Sequence, residues 1–193
     1  SVDEYLSFLK KFSKEEIPLK YNNPTWHIHL GTPPEPESEI NFNSLINLVC
    51  VCNSTDKEII WGFLKEYDQS LNSKNNPLLD NLIQYAINYY IDFIIPRKKY
   101  LLVKKNTKKV FEDLLNLLEN MNEASTSEQI QTEIYEIGKK HDFLKLRDFF
   151  KLIYQVLLGQ EQGPRLGSFI KLYGKKNTCL LLEKVLKGEN ISN

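Results

Sequence analysis

Gln160-Glu161-Gln162-Gly163-Pro164-Arg165-Leu166-Gly167-Ser168-Phe169-Ile170-Lys171-Leu172-Tyr173-Gly174 joins two apolar helical runs. Phe149 to Leu158 lies before it, and a stripe of Leu181, Leu182, Val185 and Leu186 follows. Three glycines and a proline within the stretch mark a chain reversal between packed helices. A single arginine, Arg165, stands inside the reversal, with Lys171, Lys175 and Lys176 behind it. A backbone turned this tightly around one guanidinium makes either a structural corner or a ligand-facing one.

Outward from this corner the pattern is helical nearly everywhere. Apolar residues recur at three and four, the spacing of one helix face. Tyr5, Phe8, Leu9 and Phe12 form such a face, and Ser1 is placed to cap it. Phe42, Leu45, Ile46, Leu48 and Val49 make the next. Thr55 and Glu58 have the spacing of a capping box ahead of Ile59, Ile60, Phe63, Leu64 and Tyr67. Asn76-Pro77 opens a long stripe, Leu79, Leu82, Ile83, Ala86, Ile87, Tyr90 and Ile94, which Pro96 ends. Val110, Phe111, Leu114, Leu115, Leu118 and Met121 follow, then Ile130, Ile134 and Ile137 up to a break at Gly138, then Leu146, Phe149, Phe150, Ile153 and Leu157. Residues 188–193 are expected to fray.

One segment interrupts the pattern. Pro18, Pro24, Pro33, Pro34 and Pro36 crowd residues 17–36, so this reads as a helix-free connector anchored by Trp26. With no alternating strand pattern, the expected fold is all-α, about eight or nine helices in a bundle or cage without substantial sheet. The basic run 97–109, seven of thirteen residues, divides it into two packed subdomains, 1–100 and 101–193.

Composition narrows the function. Twenty-five basic and twenty-five acidic residues cancel, so no global field draws in nucleic acid and such binding needs a local patch. Twenty-two of the basic residues are Lys, which singles out Arg97, Arg147 and Arg165, where planar two-pronged hydrogen bonding is available. Three cysteines, Cys50, Cys52 and Cys179, without regular spacing point to a reducing cytoplasm and structural thiols. No apolar run approaches the roughly 20 residues of a membrane span. The acidic start, Ser1-Val2-Asp3-Glu4, is unlike a signal peptide, and a chain opening without Met is expected to be a fragment.

Neither catalysis nor a metal or cofactor site is expected. His27 and His29 lack the third and fourth ligands that zinc requires, since His141 is the one other histidine. Glu35, Glu37 and Glu39 read as a solvated acidic face in a proline-rich loop. Gly163 to Gly167 follows a helix rather than a strand and so fits no nucleotide fingerprint. The basic run is either a solvated linker or a phosphate-tracking surface. Arg165, Tyr173 and the lysines around them have the chemistry used on single-stranded RNA loops, where bases stack on planar groups and expose their edges. A helical protein–protein interaction module is the alternative, and it requires an exposed apolar patch instead of a basic groove.

Two stretches resemble one family, the class I lysyl-tRNA synthetases. The first runs from Trp26-His27-Ile28-His29-Leu30-Gly31 through Phe42-Asn43-Ser44-Leu45-Ile46-Asn47-Leu48 to Asp56-Lys57-Glu58-Ile59-Ile60-Trp61-Gly62-Phe63. The second is Gln162-Gly163-Pro164-Arg165-Leu166-Gly167-Ser168-Phe169-Ile170 with Tyr173-Gly174. The resemblance implies a helical stem-contacting part followed by an anticodon-binding α-helix cage. It also implies an upstream Rossmann domain, absent from this sequence, that uses ATP and Mg²⁺. The implied partner is the anticodon stem-loop of tRNA-Lys, bound by a monomer. On residue chemistry Arg165 is expected at or behind the base pocket, or in a buried corner salt bridge. Tyr173 is the candidate stacking plane, and Lys171, Lys175, Lys176, Lys104 and Lys105 are the candidate phosphate contacts.

Overall fold

The computed structural model describes residues 1–141, 143 and 145–189; the expected fraying of 190–193 lies outside them. Among the described residues the chain is all-α, with no strand. Its helices are α1 (Val2–Lys14), α2 (Ile17–Lys20), α3 (Pro24–Ile28), α4 (Phe42–Cys52), α5 (Lys57–Tyr67), α6 (Pro77–Tyr89), α7 (Lys108–Asn120), α8 (Ser127–Lys140), α9 (Leu146–Leu157), α10 (Leu166–Tyr173) and α11 (Lys175–Leu186). The apolar stripes meet in one contiguous core, from Leu6 on α1 to Val185 on α11. α4 packs on α6, α11 on α7, and α10 against α8, α5 and α4, so α10 is wedged between the first and second halves of the chain.

The additional helices arise where prolines and glycines suggested none. Pro18 and Pro24 occupy first-turn positions of α2 and α3, where a missing N–H costs nothing. Asn23 then fastens the connector. It is 4% exposed, its Oδ1 accepts from the backbone N–H and hydroxyl of Thr25, and its amide donates to the Phe8 carbonyl and to Glu15. Trp26 is half-buried, stacked on Phe12 and met edge-on by Tyr21. Gly138 does not break α8, which continues to Lys140; the glycine lies against Phe149 and Leu146 of α9. The cap of α5 is Asp56, whose carboxylate accepts from the Glu58 N–H, one residue beyond Thr55.

The acidic run is not merely solvated. Glu37 accepts from the N–H groups of Leu78 and Leu79 at 3.0 and 2.9 Å, satisfying the first turn of α6 from 41 and 42 residues away. Those donors have no partner within the helix, and a carboxylate there also meets the positive end of the helix dipole. Asp3 does the same for α4 through the N–H groups of Phe42 and Asn43. Glu37→Ala is therefore expected to cost about 1 kcal/mol, within the range of lost caps. Thermal melting would read this as a fall of about 2–4 °C for a chain this size. The exposed Glu35 makes the control, and an equal shift for Glu35→Ala would remove the capping account.

α6 ends in a widened turn. The Ile95 N–H bonds to the Tyr90 carbonyl, five residues back, and Pro96 follows in a short 3₁₀ turn, Ile95–Arg97. Proline cannot donate to the preceding turn, so the regular ladder stops here.

Candidate nucleic-acid interface

The residues singled out in the sequence fall into three groups. Arg165 is exposed at the N-cap of α10, not in a buried corner salt bridge. It stands close to the start of α8, because Gly167 two residues on packs against the Ser127 backbone. Lys171 and Lys175 come together at the α7–α8 turn. Lys171 donates to the Glu123 carbonyl at 3.3 Å; Lys175 donates to the Met121 carbonyl at 2.7 Å and pairs with the Glu123 carboxylate at 3.0 Å. These two ammonium groups tie α10 and α11 to that turn, while Lys176 is exposed. Lys104 and Lys105 are exposed on a tight turn before α7, which the Thr107 hydroxyl closes by bonding the Lys104 N–H and carbonyl.

Tyr173 is half-buried. Its ring stacks on Phe63 of α5 at 5.1 Å and on Phe169 at 5.5 Å, so it already has aromatic neighbours within the protein. Burial pushes its hydroxyl up to about 12.

The opening stretch does line a concavity, through its first residues. Gln160, Glu161, Gln162 and Gly163 form one wall of an open groove of about 830 Å³. Tyr89, Phe93 and Arg97 also line it, as do Asn43 and Asn47 of α4 and Gln155 of α9. The glycine wall is rigid. Gly159 holds a left-handed φ of 67°, and its carbonyl accepts from the Lys99 N–H at 2.9 Å. The Leu101 N–H bonds to the Gln155 carbonyl at 3.0 Å. Gly163 lies directly on the Tyr154 ring, leaving no room for a Cβ, and the Tyr154 hydroxyl donates to the Pro164 carbonyl at 2.7 Å.

Five amide side chains line the groove. Gln160 donates to Cys50 Sγ at 3.0 Å and the buried Asn47 donates to the Asn43 carbonyl at 2.7 Å, which leaves Asn43, Gln155 and Gln162 as the amides whose donors no described bond engages. Arg97 and Lys99, both exposed, supply positive charge beside it, and no ion pair among the described residues engages either one. The chain thus has a local basic, amide-lined groove despite zero net charge. The sequence pointed to the basic run but not to this groove. One signal was present: Tyr89, Phe93 and Arg97 recur every fourth residue, off the buried stripe of α6.

Among its described residues the chain is thus an all-α module carrying an open, amide-lined groove with two unpaired cations beside it. The family model for the anticodon binding domain matches residues 53–186, and the chain belongs to that family. The chain is also similar to lysine–tRNA ligases. It is 45% identical to that of Rickettsia felis over 185 residues, which is 95% of this chain and 35% of the ligase. It is 44% identical to that of Rickettsia bellii and 42% identical to that of Rickettsia prowazekii, each over 188 residues and 96% of this chain. The chain therefore spans about a third of the length of these relatives. Among the described residues no helix is long and apolar enough to cross a membrane.

Proposed function

We propose that this chain is the anticodon-recognising region of a class I lysine–tRNA ligase and that its ligand is the anticodon stem-loop of tRNA-Lys. The observation that carries this reading is the similarity to lysine–tRNA ligases across 95% of the chain, within a family described by anticodon binding. In this reading the remaining polypeptide supplies a Rossmann domain that joins lysine to tRNA with ATP and Mg²⁺ through a lysyl-adenylate, as a cytoplasmic monomer. Among the described residues no cluster of three His, Cys, Asp or Glu side chains is placed to hold a cation.

The division proposed at 100/101 assigns the tRNA stem to residues 1–100 and the anticodon loop to 101–193. The groove draws on residues from both sides of that boundary, Asn43, Tyr89 and Arg97 on one side and Gln155 with Gly159 to Gly163 on the other. The anticodon loop in this reading is held by both parts. Arg165 contacts a base from the exposed N-cap of α10, and Lys104, Lys105 and Lys176 meet phosphates. Tyr173, with Lys171 and Lys175, supports that surface and completes the proposed contact set.

Titration with a tRNA-Lys anticodon stem-loop tests the reading. The chain is expected to bind it in preference to an unrelated stem-loop. Arg165→Ala is expected to weaken binding by about 1–3 kcal/mol at unchanged thermal stability. Replacing Lys104 and Lys105 together with Ala is expected to flatten the salt dependence, because fewer counterions are released. Equal affinity for both stem-loops would overturn the reading; unchanged affinity in the Arg165 variant would remove that residue from the interface.

A further inference from the structure

We infer that Tyr89 and Phe93 form a stacking platform for an unpaired base of the RNA loop held in the groove, an inference that rests on the anticodon-loop reading above. The two rings are 43% and 52% exposed, while the adjoining Tyr90 and Ile94 are packed in the core. Their centroids are 5.0 Å apart with planes inclined at 38°, so they form a continuous apolar ledge.

The backbone explains why they face out. α6 buries Leu79, Leu82, Ile83, Ala86 and Ile87, which fixes its inward face. Tyr89 stands two positions beyond Ile87, the last residue of that stripe, at the end of the helix, and the five-residue turn before Pro96 begins immediately after it. Widened turns of this kind cost hydrogen-bond regularity and recur at functional sites. Here the turn keeps Tyr90 and Ile94 in the core while Phe93 stays beside Tyr89 on the groove wall. Arg97 continues the same wall four residues on, with Lys99 close behind.

The surroundings favour a nucleobase over a protein side chain as the occupant. Each ring offers a π-face, and stacking on such a face tolerates any base while excluding water from it. Arg97 and Lys99 line the same groove and supply positive charge for the phosphates beside a stacked nucleotide, and Gln162, also in the lining, carries an amide able to bond a base edge.

The test uses the 193-residue chain and a tRNA-Lys anticodon stem-loop with 2-aminopurine in place of single loop bases. Tyr89→Ala and Phe93→Ala are each expected to weaken binding about tenfold or more, the effect of losing one stacked base. Because both rings are exposed, melting temperatures are expected to stay within about 2 °C, the scale of a surface substitution. The salt slope is expected to be unchanged, since no phosphate contact is removed. At one loop position 2-aminopurine fluorescence is expected to be quenched on binding and to recover in both variants, whereas Phe93→Trp retains affinity and quenching. Tyr85, 58% exposed and outside the groove, is the control, and Tyr85→Ala is expected to bind as the wild type.

If the wild type binds the stem-loop and both alanine variants bind equally well, the platform is wrong and the pair belongs to a protein contact. If the wild type itself shows no preference for the stem-loop, the anticodon-loop reading fails and the platform falls with it. The first result separates the two failures.

Discussion

Gly167→Ala is expected to destabilise the chain by about 3 kcal/mol, at the upper end of the overpacking range. For a domain of this length that lowers the melting temperature by about 6–12 °C. The glycine lies in the first turn of α10, where the helix crosses α8 at backbone distance. A Cβ at 167 would run into the Ser127 carbonyl oxygen and lie 3.0 Å from the Gln131 nitrogen. Neither atom is the end of a flexible side chain, so α10 and α8 must separate. The Gly167 N–H also donates at 3.0 Å to Oε1 of Gln131, which is 3% exposed and loses a buried partner if the helices part. Leu166, Phe169 and Ile170 come off the core with it. Gly62 is the contrast: it lies on the exposed face of α5, and a Cβ there would have nothing within 4 Å. Gly62→Ala is expected to stabilise the chain by about 0.5–1 kcal/mol through helix propensity. Thermal melts of the two variants decide the matter; similar, small shifts in both would mean that the α8–α10 contact is soft.

Lys98→Met carries the second-largest expected loss, about 2–3 kcal/mol, the scale of a charged hydrogen-bonding group removed from partly buried acceptors. The Lys98 ammonium donates to the Cys50 carbonyl at 2.7 Å, to Asn53 Oδ1 at 3.0 Å and to the Tyr90 hydroxyl at 3.2 Å. It also sits over the Tyr90 and Tyr100 rings at 5.0 and 5.1 Å, where the ring quadrupoles favour a cation. The Cys50 carbonyl belongs to the last turn of α4, where carbonyls lack partners within the helix and the dipole end is negative. Lys98 thus caps α4 from the segment that joins the two halves of the chain. Burial works against it, pushing the ammonium below its ordinary range, and raises the Cys50 thiol and the Tyr90 hydroxyl, the latter to about 12. Methionine keeps the aliphatic stem and removes the donors, so the melt isolates them. A methionine variant as stable as the wild type would mean that relief of desolvation offsets the lost bonds.

Lys98 and Glu37 mark where sequence reading stops. The stripes of α1, α4, α6, α7, α8 and α9 were legible because burying one face of a helix imposes a three-and-four spacing that survives in one dimension. Ser1 and Glu4 form the capping box of α1 for the same local reason. Partners distant in sequence were not legible. Glu37 read as one acid among three, and its role as the cap of α6 exists only because the connector returns to that helix end. Lys98 read as one of seven basic residues in a linker, and it is the least linker-like of them. Tyr89 and Phe93 stood off the stripe, but nothing in one dimension indicates that an exposed ring faces a groove and not open water.

Gln160 to Gly174 shows the division within a single stretch. Its residues alone determined the all-α corner and carried the family resemblance, since glycine, proline and arginine at those spacings are local chemistry. They did not determine why each glycine is there. Gly163 makes room for the Tyr154 ring, Gly167 lets two helices touch, and Gly174, at φ 90°, separates α10 from α11. Nor did they place Gln160 to Gly163 in one groove with Tyr89 and Arg97. A missing side chain permits turning and close approach alike, and only the packing of α10 against α8, α5 and α4 decides which of the two each glycine serves.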